Sequence, residues 1–205
     1  MKSPIYTWIA AALMFVVSGV AQSGKEFSAT MVQTTQTGRT VEKLSIGSGK
    51  LRIEPQGAVL DSPIVVVDIN GGTSYMLMPS QKTFIEVKGV QADAIHRMPF
   101  LSPVDPQHPC NALLGAGTHG DAKLSCRDGG RSEVNGRAAR KWVAVLPDGK
   151  EGYVWIDAKL SIITRMESPD GTLELQDIRE GQQSPSLFEI PQDYSRVRLG
   201  ADAER

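Results

Sequence analysis

Pro63-Ile64-Val65-Val66-Val67-Asp68-Ile69-Asn70-Gly71-Gly72-Thr73-Ser74-Tyr75-Met76-Leu77-Met78-Pro79-Ser80-Gln81-Lys82-Thr83-Phe84-Ile85-Glu86-Val87 is the stretch that decides the fold class. Ile64 to Ile69 is apolar except for Asp68 and rich in β-branched side chains, which suit a pleated, buried strand. Asn70-Gly71-Gly72 tolerates positive φ and reads as a tight turn. Thr73 to Met78 is again strand-like, Pro79-Ser80-Gln81 turns the chain, and Lys82 to Val87 follows. Three strands with such short links form an antiparallel meander.

The same grammar extends in both directions. Upstream, strands are expected at Phe27–Thr35, Arg39–Ile46 and Lys50–Pro55, with turns at Thr37-Gly38 and Gly47-Ser48-Gly49. Downstream, they are expected at Ser132–Val134, Ala138–Leu146, Glu151–Asp157, Leu160–Glu167 and Thr172–Ile178. Asn135-Gly136, Pro147-Asp148-Gly149 and Asp170-Gly171 supply the turns. Phe188 and Ile190 read as a plug that docks the C-terminal segment on the core. Short strands joined by hairpins, without βαβ alternation, predict a mainly β chain with a single antiparallel sheet of about ten or eleven strands.

The pattern breaks over about 88–131. Gln91 to Met98 has the spacing of a short helix. Pro99, Pro103, Pro106 and Pro109 then exclude regular structure, and Cys110 to Leu114 reads as a helical turn. Long irregular connections of this kind are often functional or cover an open sheet.

The N-terminus has one cation, Lys2, then the apolar run Ile5 to Val17, then the small residues Gly19 and Ala21. This is the layout of a cleavable export signal, with the cut expected after Ala21. The domain is then 22–205, and no integral membrane span remains after cleavage. The chain has 22 basic and 23 acidic side chains and no basic cluster, so nucleic acid is excluded as a partner. Export makes a disulfide of the two cysteines, Cys110 and Cys126.

Catalytic and metal chemistry find little support. No Gly-x-Ser-x-Gly elbow is present, and Gly115 to Gly120 lacks the lysine and setting of a phosphate loop. His96, His108 and His119 share the irregular stretch with the cysteines, but their spacing matches no zinc pattern, and an oxidised cysteine pair offers no thiolates. We expect no enzyme activity, no metal and no cofactor. The strongest candidate feature is apolar: Leu44, Ile46, Leu51, Ile53, Val65, Val67, Tyr75, Leu77, Trp142 and Val154, with Ala144 and Ile156, alternate along successive strands.

Several segments together resemble the LolA/LolB-like superfamily of bacterial envelope proteins. They are Phe27-Ser28-Ala29-Thr30-Met31, the hairpin ending in Gly49-Lys50-Leu51-Arg52-Ile53-Glu54-Pro55, Tyr75-Met76-Leu77-Met78-Pro79, Val154-Trp155-Ile156-Asp157 and Leu187-Phe188-Glu189-Ile190-Pro191. The chain looks like an exported branch of that superfamily, although LolA-type proteins tend to have a basic residue where Glu54 stands. The resemblance implies an open half-barrel with a short helical insert covering its concave side. It further implies a periplasmic or secreted binding protein for an apolar ligand, such as a lipid or the acyl chain of a lipoprotein. A competing class is a protein–protein interaction module of the cell envelope. In that case the apolar residues fill the core and an envelope protein partner docks outside.

Overall fold

The computed structural model describes residues 25–57, 62–89, 100, 104–105, 107–114, 124–145 and 149–198. The expected signal peptide and the Gln91–Met98 helix lie outside these. Among the described residues twelve strands form one sheet. β1 to β6 are Phe27–Thr35, Gly38–Gly47, Lys50–Pro55, Ile64–Asp68, Thr73–Met78 and Thr83–Lys88. β7 to β12 are Cys126–Val134, Arg137–Val145, Glu151–Asp157, Ile163–Ser168, Gly171–Glu180 and Ser195–Val197. The order across the sheet is β12-β6-β5-β4-β3-β2-β1-β11-β10-β9-β8-β7, so it is open, with edges at β12 and β7.

Two meanders, β1–β6 and β7–β11, are joined side by side where β1 pairs antiparallel with β11. Their turns follow the sequence chemistry. Asn135 and Gly136 both have positive φ, 51° and 76°, which suits the right-handed twist of a two-residue hairpin. Gly171 has a φ of 152°, and a Cβ there would sit 2.1 Å from the Thr34 carbonyl oxygen. No other residue fits where β11 turns in against β1.

The link from β6 to β7 joins strands that lie near opposite edges of the sheet. Its described residues pack on one face, which we call concave. Phe100 joins a core of Phe27, Met31, Leu44, Leu51, Leu160 and Leu175. Val104, Cys110, Leu113 and Leu124 pack on Ala144, Val154 and Ile163. Cys110 and Cys126 are bonded, with Cα atoms 5.9 Å apart, as expected for this pair. Asn111–Leu114 forms a 3-10 turn, and Asn111 Oδ1 accepts a hydrogen bond from the Leu124 N–H.

The C-terminal segment crosses the opposite, convex face from β11 to β6. Its 3-10 turn Pro185–Phe188 places Phe188 against Val66 and Leu77. Phe188 is buried, whereas Ile190 is only half-buried, so the expected plug is chiefly Phe188. Two expected boundaries are corrected. β7 starts at Cys126 rather than Ser132, and β10 at Ile163 rather than Leu160, because Asp157 to Ile162 is a turn tied by its own hydrogen bonds.

Candidate functional site

The face each side chain occupies follows from register, since directly opposed residues share a face. Leu44 opposes Ile53, Ile53 opposes Val65, and Val65 opposes Met76. Met76 opposes Ile85, and Ile85 opposes Val197. One apolar row therefore runs straight across strands β2 to β6 and ends on β12. At about 4.8 Å per strand, its outer part from Ile53 to Val197 spans roughly 19 Å. A parallel row runs Phe27, Ile46, Leu51, Val67, Ser74 and Val87.

Burial divides these rows. Leu44 and Leu51 are 0% exposed, and Val67 is fully packed beside them in the core. Ile53, Val65, Met76 and Ile85 retain partial exposure, while Val87 and Val197 at the outer end are 37% and 44% exposed. The concave face is thus filled at its centre and opens as an apolar strip over β3–β6 and β12.

The expected apolar residues are distributed accordingly. Leu44, Ile46, Leu51, Ile53, Val65 and Val67 share the concave face. Trp142, Ala144, Val154 and Ile156 line the β8–β9 part of it, where Trp142 opposes Val154. Val154 and Ala144 are buried beneath the disulfide-held segment. Tyr75 and Leu77 lie on the other face. They oppose Val66 and Ile64 and pack with Phe84, Leu187 and Phe188. The four-residue link between β4 and β5 pairs Asp68 with Thr73. That register opposes odd-numbered residues of β4 to even-numbered residues of β5 and flips the β5 assignment. Met76 and Ile85 take the places given to Tyr75 and Leu77. Counting pairs outward from the Asn70-Gly71 turn would have located them.

Glu42 opposes Met31 and Pro55 and is half-buried, and burial pushes its carboxyl above the ordinary value. Beside the disulfide, a cleft of about 350 Å³ is lined by Gln107, His108, Pro109, Leu124, Cys126 and Trp142. His108 is held there by Asp105, Nδ1 to Oδ2 at 2.8 Å. A cleft of about 220 Å³ lies against Leu113, Met166 and Leu173, and one of about 390 Å³ against Val41, Lys43 and Arg179. None of these three is lined by Ile53, Val65, Met76 or Ile85. Among the described residues no group of three His, Cys, Asp or Glu side chains is placed to hold a metal ion. No described helix is long and apolar enough to cross a membrane.

On the convex side Asp157 is 2% exposed and salt-bridged to Arg137 at 2.6 Å, and Arg137 also meets Glu180 at 2.9 Å. The Lys141 ammonium lies over the rings of Tyr153 and Trp155, at 4.2 and 4.9 Å. Every charge in these clusters has a partner within the sheet, which marks them as structural.

Comparison with known proteins places this fold. An uncharacterised conserved protein from Thermus thermophilus shares it at a TM-score of 0.54, with 11% identity over 86% of this chain and 91% of that one. A chain of the MucA/MucB complex of Pseudomonas aeruginosa matches at a TM-score of 0.51 and 14% identity, over 82% of this chain. The match spans 56% of the MucA/MucB chain. A LolA superfamily protein from Nitrosomonas europaea is also among the similar structures, at 8% identity and a TM-score of 0.34, over 82% of this chain and 91% of that one. At these identities the likeness to the first two is one of fold. No protein-family model matches the chain, and none of the curated proteins matches it in sequence.

Proposed function

We propose that this chain is an exported, non-catalytic binding protein of the cell envelope that takes a lipid or acyl chain on the outer half of its concave face. The observation that supports this reading is the in-register row Ile53, Val65, Met76 and Ile85. It is apolar across four strands, partly exposed, and open towards Val197 and Val87. An acyl chain laid along it would shed water at roughly 0.8 kcal/mol per buried CH2. The fully buried residues Leu44, Leu51 and Val154 then serve as a rigid floor and are not touched by the ligand. The signal-like N-terminus supports export.

The test is a titration of the mature protein with fatty acids of increasing length, read by calorimetry. Affinity should rise with chain length, stay insensitive to salt, and fall in Met76→Lys. If no chain length binds better than about 1 mM, a free energy near −4 kcal/mol, the lipid reading fails.

A second reading is a protein-binding module with a filled core. It draws on the complete burial of Leu44, Leu51 and Val154 and on the fold shared with MucB, a protein crystallised in complex with MucA.

A further inference from the structure

β12 pairs with β6 in parallel, unlike the other strand pairs described, which are antiparallel. It has three residues, Ser195, Arg196 and Val197, all exposed. They cover Thr83, Phe84 and Ile85 and leave the second half of β6, Glu86 to Lys88, outside the pairing.

The fastenings of β12 are light. The Ser195 N–H donates to the Lys82 carbonyl at 2.9 Å. Lys82 meets Asp193, and Arg196 meets Glu86, both at 3.0 Å. The Lys82–Asp193 pair and Arg196 are solvent-exposed, and exposed ion pairs hold little. The buried anchor of the C-terminal segment is Phe188, which is 4% exposed and seven residues before β12, and the half-buried Leu187 and Tyr194 pack on the same cluster, so the loosely held part begins at Ser195. β12 can therefore leave β6 while Phe188 stays docked.

What β12 covers is specific. The Glu86 side chain is only 13% exposed and lies between Lys88 and Arg196. A carboxylate so placed at a sheet edge calls for a cation on the incoming strand. Val197 opposes Ile85 and continues the concave apolar row. An occupant of this edge thus needs an extended backbone running parallel to β6, a basic residue for Glu86, and an apolar residue directly after it.

We infer that β12 is a placeholder, and that the β6 edge receives an extended segment of a partner protein with a basic–apolar pair, which displaces β12 and adds in its place. Strand addition of this kind draws affinity from main-chain hydrogen bonds and selectivity from the alternating side chains. The inference goes beyond both functional readings above and depends on neither, since it concerns only the β6–β12 pairing. The intramolecular strand competes at high effective concentration, so the edge is selective for segments that outmatch it. The apparent affinity of any such segment is reduced by the fraction of molecules in which β12 is bound.

The probe is a fluorescent peptide with the sequence Pro191 to Arg198, titrated into the full mature chain and compared with a scrambled peptide. Arg196→Glu sets a carboxylate against Glu86 and should release β12, tightening peptide binding at least tenfold over the wild type. A Thr83→Cys/Ser195→Cys chain, whose two positions are directly opposed, should lose binding when oxidised and regain it on mild reduction that leaves Cys110–Cys126 intact. Circular dichroism of each variant controls for folding. Equal binding by the oxidised and reduced forms would overturn the proposal. So would the lack of saturable binding to Arg196→Glu up to about 1 mM, the ordinary limit of weak association.

Discussion

Asp157→Asn tests the part of the sheet that carries the turn under the concave core. Asp157 ends β9 with its carboxylate 2% exposed, and it accepts four hydrogen bonds. Two come from Arg137, Nε at 2.6 Å and an Nη at 3.2 Å. Two come from the backbone N–H groups of Lys159 and Leu160, at 2.9 and 2.7 Å. The latter pair shapes the turn that places Leu160 and Ile162 in the core with Leu44 and Phe100. Removing one partner of a buried ion pair costs about 3–5 kcal/mol. Asparagine keeps an oxygen for the two backbone donors, and Arg137 keeps Glu180, so the loss is that of the charged hydrogen bonds, about 2–3 kcal/mol. The pH dependence fixes the cause. Burial pushes the Asp157 carboxyl up, but hydrogen bonds from Arg137, Leu160 and Lys159 outweigh it and hold the group below the ordinary carboxylate value. A depressed folded-state pKa stabilises the protein above the unfolded-state value of about 3.9 and ceases to do so as pH falls through the folded-state value. Urea melts of wild type and Asp157→Asn should therefore differ by the full amount at neutral pH and converge well below about pH 4. A gap under about 0.5 kcal/mol at neutral pH, the range of an ordinary surface substitution, would refute the reasoning. So would a gap that does not narrow in acid.

Trp142→Ala should cost about 2–3 kcal/mol in denaturant melts. That is below the usual 3–5 for a large buried aromatic, because one edge of the indole borders the 350 Å³ cleft; under about 1 kcal/mol would make it a surface residue. Glu42→Gln should raise the melting temperature at neutral pH. Its folded-state pKa is raised by burial, so its stabilising effect is complete below the unfolded-state value of about 4.3 and is lost as pH rises through the folded-state value. The gain from Gln should accordingly vanish in acid, and an unchanged melting temperature across pH would show that Glu42 is solvated.

Much of the sheet is legible in the chain because strand and turn chemistry are local. Phe27–Thr35, Lys50–Pro55, Thr73–Met78 and Glu151–Asp157 coincide with observed strands, and the first three are closed by Gly or Pro within three residues. The first half of β7, Cys126-Arg127-Asp128-Gly129-Gly130, has no apolar alternation and a register shift between Asp128 and Gly130. It is a strand because β8 offers it a ladder, not because of propensity. β12 is too short to have a pattern at all. Nor does anything in Met31 announce Leu175, its partner in β11. That pairing closes the chain over a long loop and is settled by the joint burial of both meanders.

The candidate site was legible to the same depth and no further. Alternation alone gives two faces per strand, and it is the hairpin register that assigns them, which is why Ile53 and Val65 sit in the apolar strip while Tyr75 and Leu77 sit behind it. Val104, Cys110, Leu113 and Leu124 of the connection from β6 to β7 lie over β8–β10, held by the disulfide. The C-terminal segment crosses the other face and comes to rest on β6. The β3–β6 half therefore has a tightly packed back, built from Val66, Leu77 and Phe188, and a concave front whose row Ile53, Val65, Met76 and Ile85 stays partly exposed. A firm back behind an incompletely buried apolar front is what the proposed lipid binding requires, because a ligand would then complete the desolvation of the row without rearranging the core.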